Sequence, residues 1–111
     1  MNEYKITITQ RAYSDITECV LFVNNVSKEA AKELYSEIIA SVDSLKTFPN
    51  AYPNIEGLTI SGADVKRMPI HHGRYLIIYK VQGNLVTIYD VIDTRKDSSI
   101  LKLYISEPPI N

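Results

Sequence analysis

Hydrophobic and polar positions change period twice along this chain, and each change marks an element. Tyr4-Lys5-Ile6-Thr7-Ile8-Thr9 alternates apolar with polar, the two-residue period of a half-buried strand. Between residues 11 and 24 the spacing becomes helical, with Tyr13, Ile16, Val20 and Val23 on one stripe and Thr9 or Gln10 near the start. Asn24-Asn25 breaks the pattern, and Ser27 then offers an N-cap with Glu29 in the first turn. Ala31, Leu34, Ile38, Val42 and Leu45 recur every three or four residues after it. That spacing predicts a long amphipathic helix ending near Phe48, ahead of Pro49. Two helices joined by so short a break form an antiparallel hairpin.

Residues 49–64, PNAYPNIEGLTISGAD, carry two prolines, two glycines and no period, and read as a loop around the domain edge. Three strands follow. Residues 65–70 form the first, in which Pro69 requires an edge or a bulge, because proline has no N–H to give to a neighbour. Residues 75–81 and 85–92 form the other two, joined by a tight turn at Gln82-Gly83-Asn84. Both are apolar at nearly every position, as expected of central strands covered on at least one face. Residues 97–107 read as a short helix or an extended segment, and 106–111 as a flexible tail. The fold class is therefore α+β in the order strand-helix-helix-strand-strand-strand, a small antiparallel-rich sheet with a helical hairpin on one face.

The length, 111 residues, suits a single domain with one modest core. The apolar and charged fractions, 45% and 23%, are those of an ordinary globular protein, and no apolar run approaches the roughly 20 residues that span a bilayer. One cysteine, Cys19, leaves no internal disulfide and fits a reducing compartment, so the expected location is the cytoplasm. With only two histidines, adjacent at positions 71 and 72, no structural zinc site and no cofactor is expected. The net charge of −1 conceals a split. Residues 1–64 hold five Lys/Arg against nine Asp/Glu, whereas residues 65–111 hold seven against four. An anionic partner would meet the second half.

The chemistry-bearing residues crowd into KRMPIHHGRYLIIYKV, residues 66–81. His71 has an ordinary pKa suited to a general acid or base, and is otherwise an exposed turn histidine; the same alternatives hold for His72. In an unbulged strand Arg67 lies four residues before His71 and shares its face. Arg95 and Lys96 follow the last strand. Each arginine is either a phosphate or carboxylate contact or a member of a surface ion pair, with Asp93 or Asp97 as partner for Arg95. Tyr4, Tyr75, Tyr79 and Tyr89 alternate with Ile and Val as sheet residues do, and Cys19 reads as a small buried hydrophobe.

Three stretches, ITQRAYSDITECVLFV, AAKELYSEIIASVDSLKTFPNAYP and VKRMPIHHGRYLIIYKVQGNLVTIYDVIDTRKD, together resemble the RelE/ParE superfamily of toxins from type II toxin–antitoxin modules, including the plasmid stabilisation proteins. In that family a basic strand leads into a "yRi-Y-v" strand, a glycine turn and a strand closing in "h-R". The run Leu45…Phe48-Pro49…Pro53 is similar to the family's "L…P…P" run. The resemblance implies a toxin neutralised by a cognate antitoxin, whose acidic tail would meet Arg67, Arg74, Arg95 and Lys96, or whose folding segment would cover the hairpin. It leaves two targets open, DNA gyrase for ParE-like members and ribosome-bound mRNA for RelE-like endoribonucleases. On the second, Arg67, His71 and Arg95 would be the catalytic residues. Two departures count against the second: Leu101 stands where RelE-like members carry a C-terminal Tyr, with Tyr104 three residues beyond, and ribosome-targeted members are strongly basic whereas this chain has a net charge of −1. Tyr75-Leu76 stands where the family has Tyr-Arg, which weakens a catalytic role for Arg74. A degenerate member that only binds protein is the remaining alternative.

Overall fold

In the computed structural model, residues 3–96 are described, and they form two helices and five strands. Strand β1 (Lys5–Ile8) leads into helices α1 (Gln10–Asn24) and α2 (Lys28–Ser44), followed by β2 (Asn54–Ile60), β3 (Ala63–Ile70), β4 (Tyr75–Gln82) and β5 (Leu85–Asp93). The expectations for 97–107, for the tail 106–111, and for Asp97, Leu101 and Tyr104 lie outside the described residues.

Both helices start where their side chains supply a cap. The Thr9 hydroxyl accepts from the Ala12 amide at 3.1 Å and donates to the Tyr89 carbonyl at 3.2 Å, so one residue starts α1 and ties it to β5. Ser27 caps α2 through the Ala30 amide. Thr9→Ala removes both bonds, and a loss of about 1–2 kcal/mol is expected in urea unfolding. Helix α2 stops at Ser44, four residues short of Phe48. Leu45, Lys46 and Thr47 wind into a tighter turn of i→i+3 bonds, and the Lys46 carbonyl accepts from the Tyr4 amide instead of continuing the helix.

The sheet runs in the order β1-β5-β4-β3-β2, with β1 parallel to β5 and every other pair antiparallel. Its helix face carries Met68 and Ile70 of β3, Tyr75, Ile77 and Tyr79 of β4, and Val86, Ile88 and Val91 of β5. These pack with Ala12 and Ile16 of α1 and with Leu34, Ile38 and Val42 of α2. The α2 stripe is the one its spacing predicts. The α1 stripe is rotated: Tyr13 is 56% exposed, and Ala12 occupies the core in its place, with Ile16, Cys19, Val20 and Val23 packed alongside.

The main correction falls on 49–64, which contains a strand rather than being loop throughout. Ile55 and Leu58 both point into a second apolar cluster, but they are three residues apart because Gly57, at φ +78°, breaks the register between Asn54 and Thr59. A bulge of this kind hides the two-residue period from the sequence. The strand then turns at Ser61-Gly62 and pairs with β3 only as far as Lys66, plus one bond from the Arg67 amide to the Pro53 carbonyl. Pro69 therefore lies where β3 has no strand on its outer side, which is the edge position proline needs. Among the described residues no helix is long and apolar enough to cross a membrane.

Candidate functional site

The hairpin that joins β3 to β4 carries three consecutive positive-φ residues. His71 and His72 have φ of +53° and +58°, and Gly73 follows at +80°. The Gly73 amide donates to the Ile70 carbonyl and the Arg74 amide to the His71 carbonyl. Positive φ at both central residues of such a turn normally calls for Asn-Gly. Two histidines there cost on the order of 1 kcal/mol each, and something must hold them.

The restraint comes from α2. One Glu37 oxygen accepts from the His71 amide at 2.7 Å, and the other lies 2.8 Å from the His71 ring Nδ1. The hydrogen bonds to His71 hold the Glu37 carboxyl below its ordinary range, against a smaller opposing effect of burial. A folded-state pKa below that of the unfolded chain adds stability at pH values above the ordinary 4.5, and the gain is lost as pH falls through the lowered value. Both side chains are more than a third exposed, so the contact is worth about 1 kcal/mol. Glu37→Gln is expected to remove that amount at pH 7 and progressively less as pH falls below 4.5. Urea unfolding of both proteins at pH 7 and at descending pH below 4.5 measures the difference.

On the other side the turn meets the end of β5. The Thr94 hydroxyl donates to the Gly73 and Arg74 carbonyls at 2.9 and 3.0 Å, and the Thr94 amide donates to Arg74 as well. Between the two segments lies an open cleft of about 410 Å³ lined by His71, His72, Gly73, Arg74, Thr94 and Arg95. Arg95 is folded back onto Asp93, whose carboxylate accepts from its amide, Nε and Nη2 at 2.9, 3.3 and 3.2 Å. Lys96 turns the other way, its Nζ 5.4 Å from the centre of the Phe22 ring.

The structure thus gathers His71, His72, Arg74 and Arg95 at one end of the sheet and leaves Arg67 apart. The shared face expected for Arg67 and His71 does not exist. Arg67 pairs with Ile78 on the face away from the helices, whereas the left-handed backbone at His71 ends the alternation and its ring meets Glu37 of α2. That open face is largely apolar: Ile55, Leu58, Val65, Ile78 and Ile92 cluster there with Leu76 packed against them. Lys80 also lies on it, only 8% exposed, its Nζ 5.9 Å from the centre of the Tyr89 ring. Cys19 is half-buried, and burial pushes its thiol up to about 11, so it is inert as a nucleophile.

Two groups of residues were not visible from the sequence. Glu37 is an ordinary polar position on α2 until the fold brings it to the turn. The second group is Asp90, 1% exposed in β5, with Arg11 of α1 at 3.0 Å and Asp15, which accepts from the Val91 amide, beside it. An aspartate inside the apolar run VTIYDVI was a signal that a charge had to be accommodated in the core. On the surface, α1 and α2 expose Leu21, Phe22, Tyr35 and Ile39, and a shallow apolar groove of about 260 Å³ between them is lined by Val20, Asn24, Lys28, Ala31, Lys32 and Tyr35.

The model of a family described as the ParE toxin of type II toxin–antitoxin systems, parDE, matches residues 6–98. A solved structure, the chromosomal ParDE toxin–antitoxin system from P. aeruginosa, is similar with a TM-score of 0.65 at 16% identity, covering 82% of this chain and 96% of that one. At that identity the likeness is one of fold. No curated protein matches.

Proposed function

The chain belongs to the ParE toxin family of type II toxin–antitoxin systems, and from that premise we propose that it is a growth inhibitor directed at DNA gyrase and silenced by a cognate antitoxin. The observation that carries the choice of target is the dispersal of the groups that RNA cleavage would need. Cutting a phosphodiester without a metal requires a base for the 2′-hydroxyl, cations for the transition state and an acid for the leaving oxygen, all at one point. Here His71 is held by Glu37, Arg95 is neutralised by Asp93, and Arg67 lies on the other side of the sheet. Leu76, which stands where the family pattern has an arginine that could serve as a cation, is packed against the apolar cluster of the open face. Such a surface favours a protein that acts by binding.

For the antitoxin two surfaces are suited. The basic end of the sheet, with Arg74, Arg95 and Lys96, and the separate Arg67 would receive an acidic tail. The apolar groove on the hairpin, flanked by Lys28 and Lys32, would receive a segment that folds as it binds.

Inducible expression in a susceptible host tests the reading. The expected result is growth arrest with gyrase–DNA complexes trapped and mRNA 5′ ends unchanged. Codon-positioned mRNA cuts that vanish in Arg95→Ala would establish the RelE-like endoribonuclease instead. Normal growth with soluble protein confirmed would leave only a protein-binding module.

A further inference from the structure

Both faces of the sheet are apolar, but the helices cover only one of them. No helix residue enters the cluster on the outer face, which is built from strand residues alone. A sheet face turned to water normally presents polar side chains. Here Val65 and Ile78 are 0% exposed and Ile92 6%, and this is the burial within a single chain. Lys80 lies on the same face and is nearly buried, although its long side chain would reach water if the face were bare. Some part of the chain itself must lie over them.

Nothing among residues 3–96 supplies that cover. The run after α2 stays on the helix side, where the Pro49 carbonyl accepts from the Tyr79 hydroxyl and Tyr52 packs against the first cluster. The connections at 61–62, 71–74 and 83–84 are short turns at the strand ends. Residues 1–2 precede β1, the edge strand farthest from β2, and are too few to cover a cluster that reaches from β5 to β2. Residues 97–111 begin five positions after Ile92, itself a member of the cluster. Fully extended they would reach roughly 50 Å, against a five-stranded sheet about 19 Å wide. Within them, residues 100–105 read ILKLYI, five apolar side chains around one lysine. The hairpin offers a second apolar surface, but Leu21 and Phe22 there remain 57% and 53% exposed, so it has no such cover.

We infer that residues 100–105 lie across the outer face of the sheet and pack on Val65, Ile78 and Ile92, giving the fold a third layer. The sheet is then closed on both sides, and a partner that reaches the outer face must first displace this segment. The hairpin groove is open without any such step. The inference goes beyond the toxin reading and holds whatever the target.

The test is nuclear magnetic resonance on the full chain with labelled Ile, Leu and Val methyl groups. Cross-relaxation is expected between the methyls of Ile78 or Ile92 and those of Leu101, Leu103 or Ile105. A mixture of labelled and unlabelled protein, filtered for contacts between molecules, should lose those signals. A soluble nitroxide should relax the Ile78 methyl at least fivefold less than the exposed Leu21 methyls. In the double variant Leu101→Asp, Leu103→Asp, the protection of Ile78 should fall at least threefold, while that of Ile38 in the first cluster stays as it is. The wild-type contacts decide the matter even if that variant does not fold. Absence of those contacts, their persistence in the filtered mixture (a second copy as the cover), or unchanged protection of Ile78 in a folded variant overturns the inference.

Discussion

Replacing Tyr79 with alanine is expected to destabilise the protein by about 4 kcal/mol, a large part of the roughly 5–15 kcal/mol that holds a domain together. Tyr79 sits in the middle of the central strand, fully buried in the cluster between sheet and helices. Its hydroxyl donates to the Pro49 carbonyl at 2.6 Å. Burial pushes the phenol far above its ordinary pKa, so it remains a donor at any working pH. This bond gives a physical role to the start of the Pro49…Pro53 run, because it fastens the end of the α2 turn to the sheet just before β2 begins. The two contributions separate. Tyr79→Phe keeps the ring and strands the carbonyl, and should cost about 1–2 kcal/mol, near 4–12 °C in Tm. Tyr79→Ala removes both. Thermal unfolding of the two variants at neutral pH checks the pair. Equal losses would mean that the ring contributes little beyond its hydroxyl.

The second large effect depends on pH. Burial, and then the neighbouring Asp15, push the Asp90 carboxyl well above the usual carboxylate range, to about 7, and Arg11 offsets only part of this. Arg11 is more than half exposed, so water screens its attraction, while Asp90 bears the full cost of desolvation. A group whose folded-state pKa exceeds its unfolded value adds stability below the unfolded value, near 3.8, and loses it as pH rises through about 7. Stability is therefore expected to fall between pH 4 and pH 7 by an amount on the order of a few kcal/mol. The Glu37–His71 contact behaves oppositely, and its contribution changes with pH only below about 4.5, where it is lost, so the two can be told apart by their windows. Asp90→Asn should flatten the decline and be at least as stable as the wild type at pH 8, because the amide can donate to Asp15. Urea unfolding across pH 4–8 decides this. A variant several kcal/mol weaker at pH 8 would make Asp90 an ionised partner of Arg11 instead, since breaking a buried pair costs about 3–5 kcal/mol.

Much of this fold was legible because its elements have clean periods. The α2 stripe, the apolar runs of β4 and β5 and the Ser27 cap all stand as the sequence predicts. Strand β2 was hidden because the bulge at Gly57 spaces Ile55 and Leu58 as no flat strand would. Tyr13 was misplaced because a 3.6-residue period tolerates a stripe shifted by one residue, and the small Ala12 is easily overlooked as a core position. For the candidate site, the sequence pointed to the stretch 66–81 but not to its geometry. A left-handed turn at His71 cannot be anticipated from two histidines, a residue type that rarely adopts it, and it undid the expected alignment with Arg67. Contacts across the fold, Glu37 with His71 and Arg11 with Asp90, depend on the docking of helices onto the sheet, which no local pattern encodes.

The central claim is that the protein poisons gyrase by binding and does not cut RNA. The most direct measurement uses the purified full chain with purified gyrase, supercoiled plasmid and ATP, beside a parallel reaction with ribosomes translating a defined mRNA. The account predicts that cleaved gyrase–DNA complexes accumulate with protein concentration while the mRNA stays whole. Intact plasmid together with mRNA cut at the codon in the ribosomal A site would contradict it.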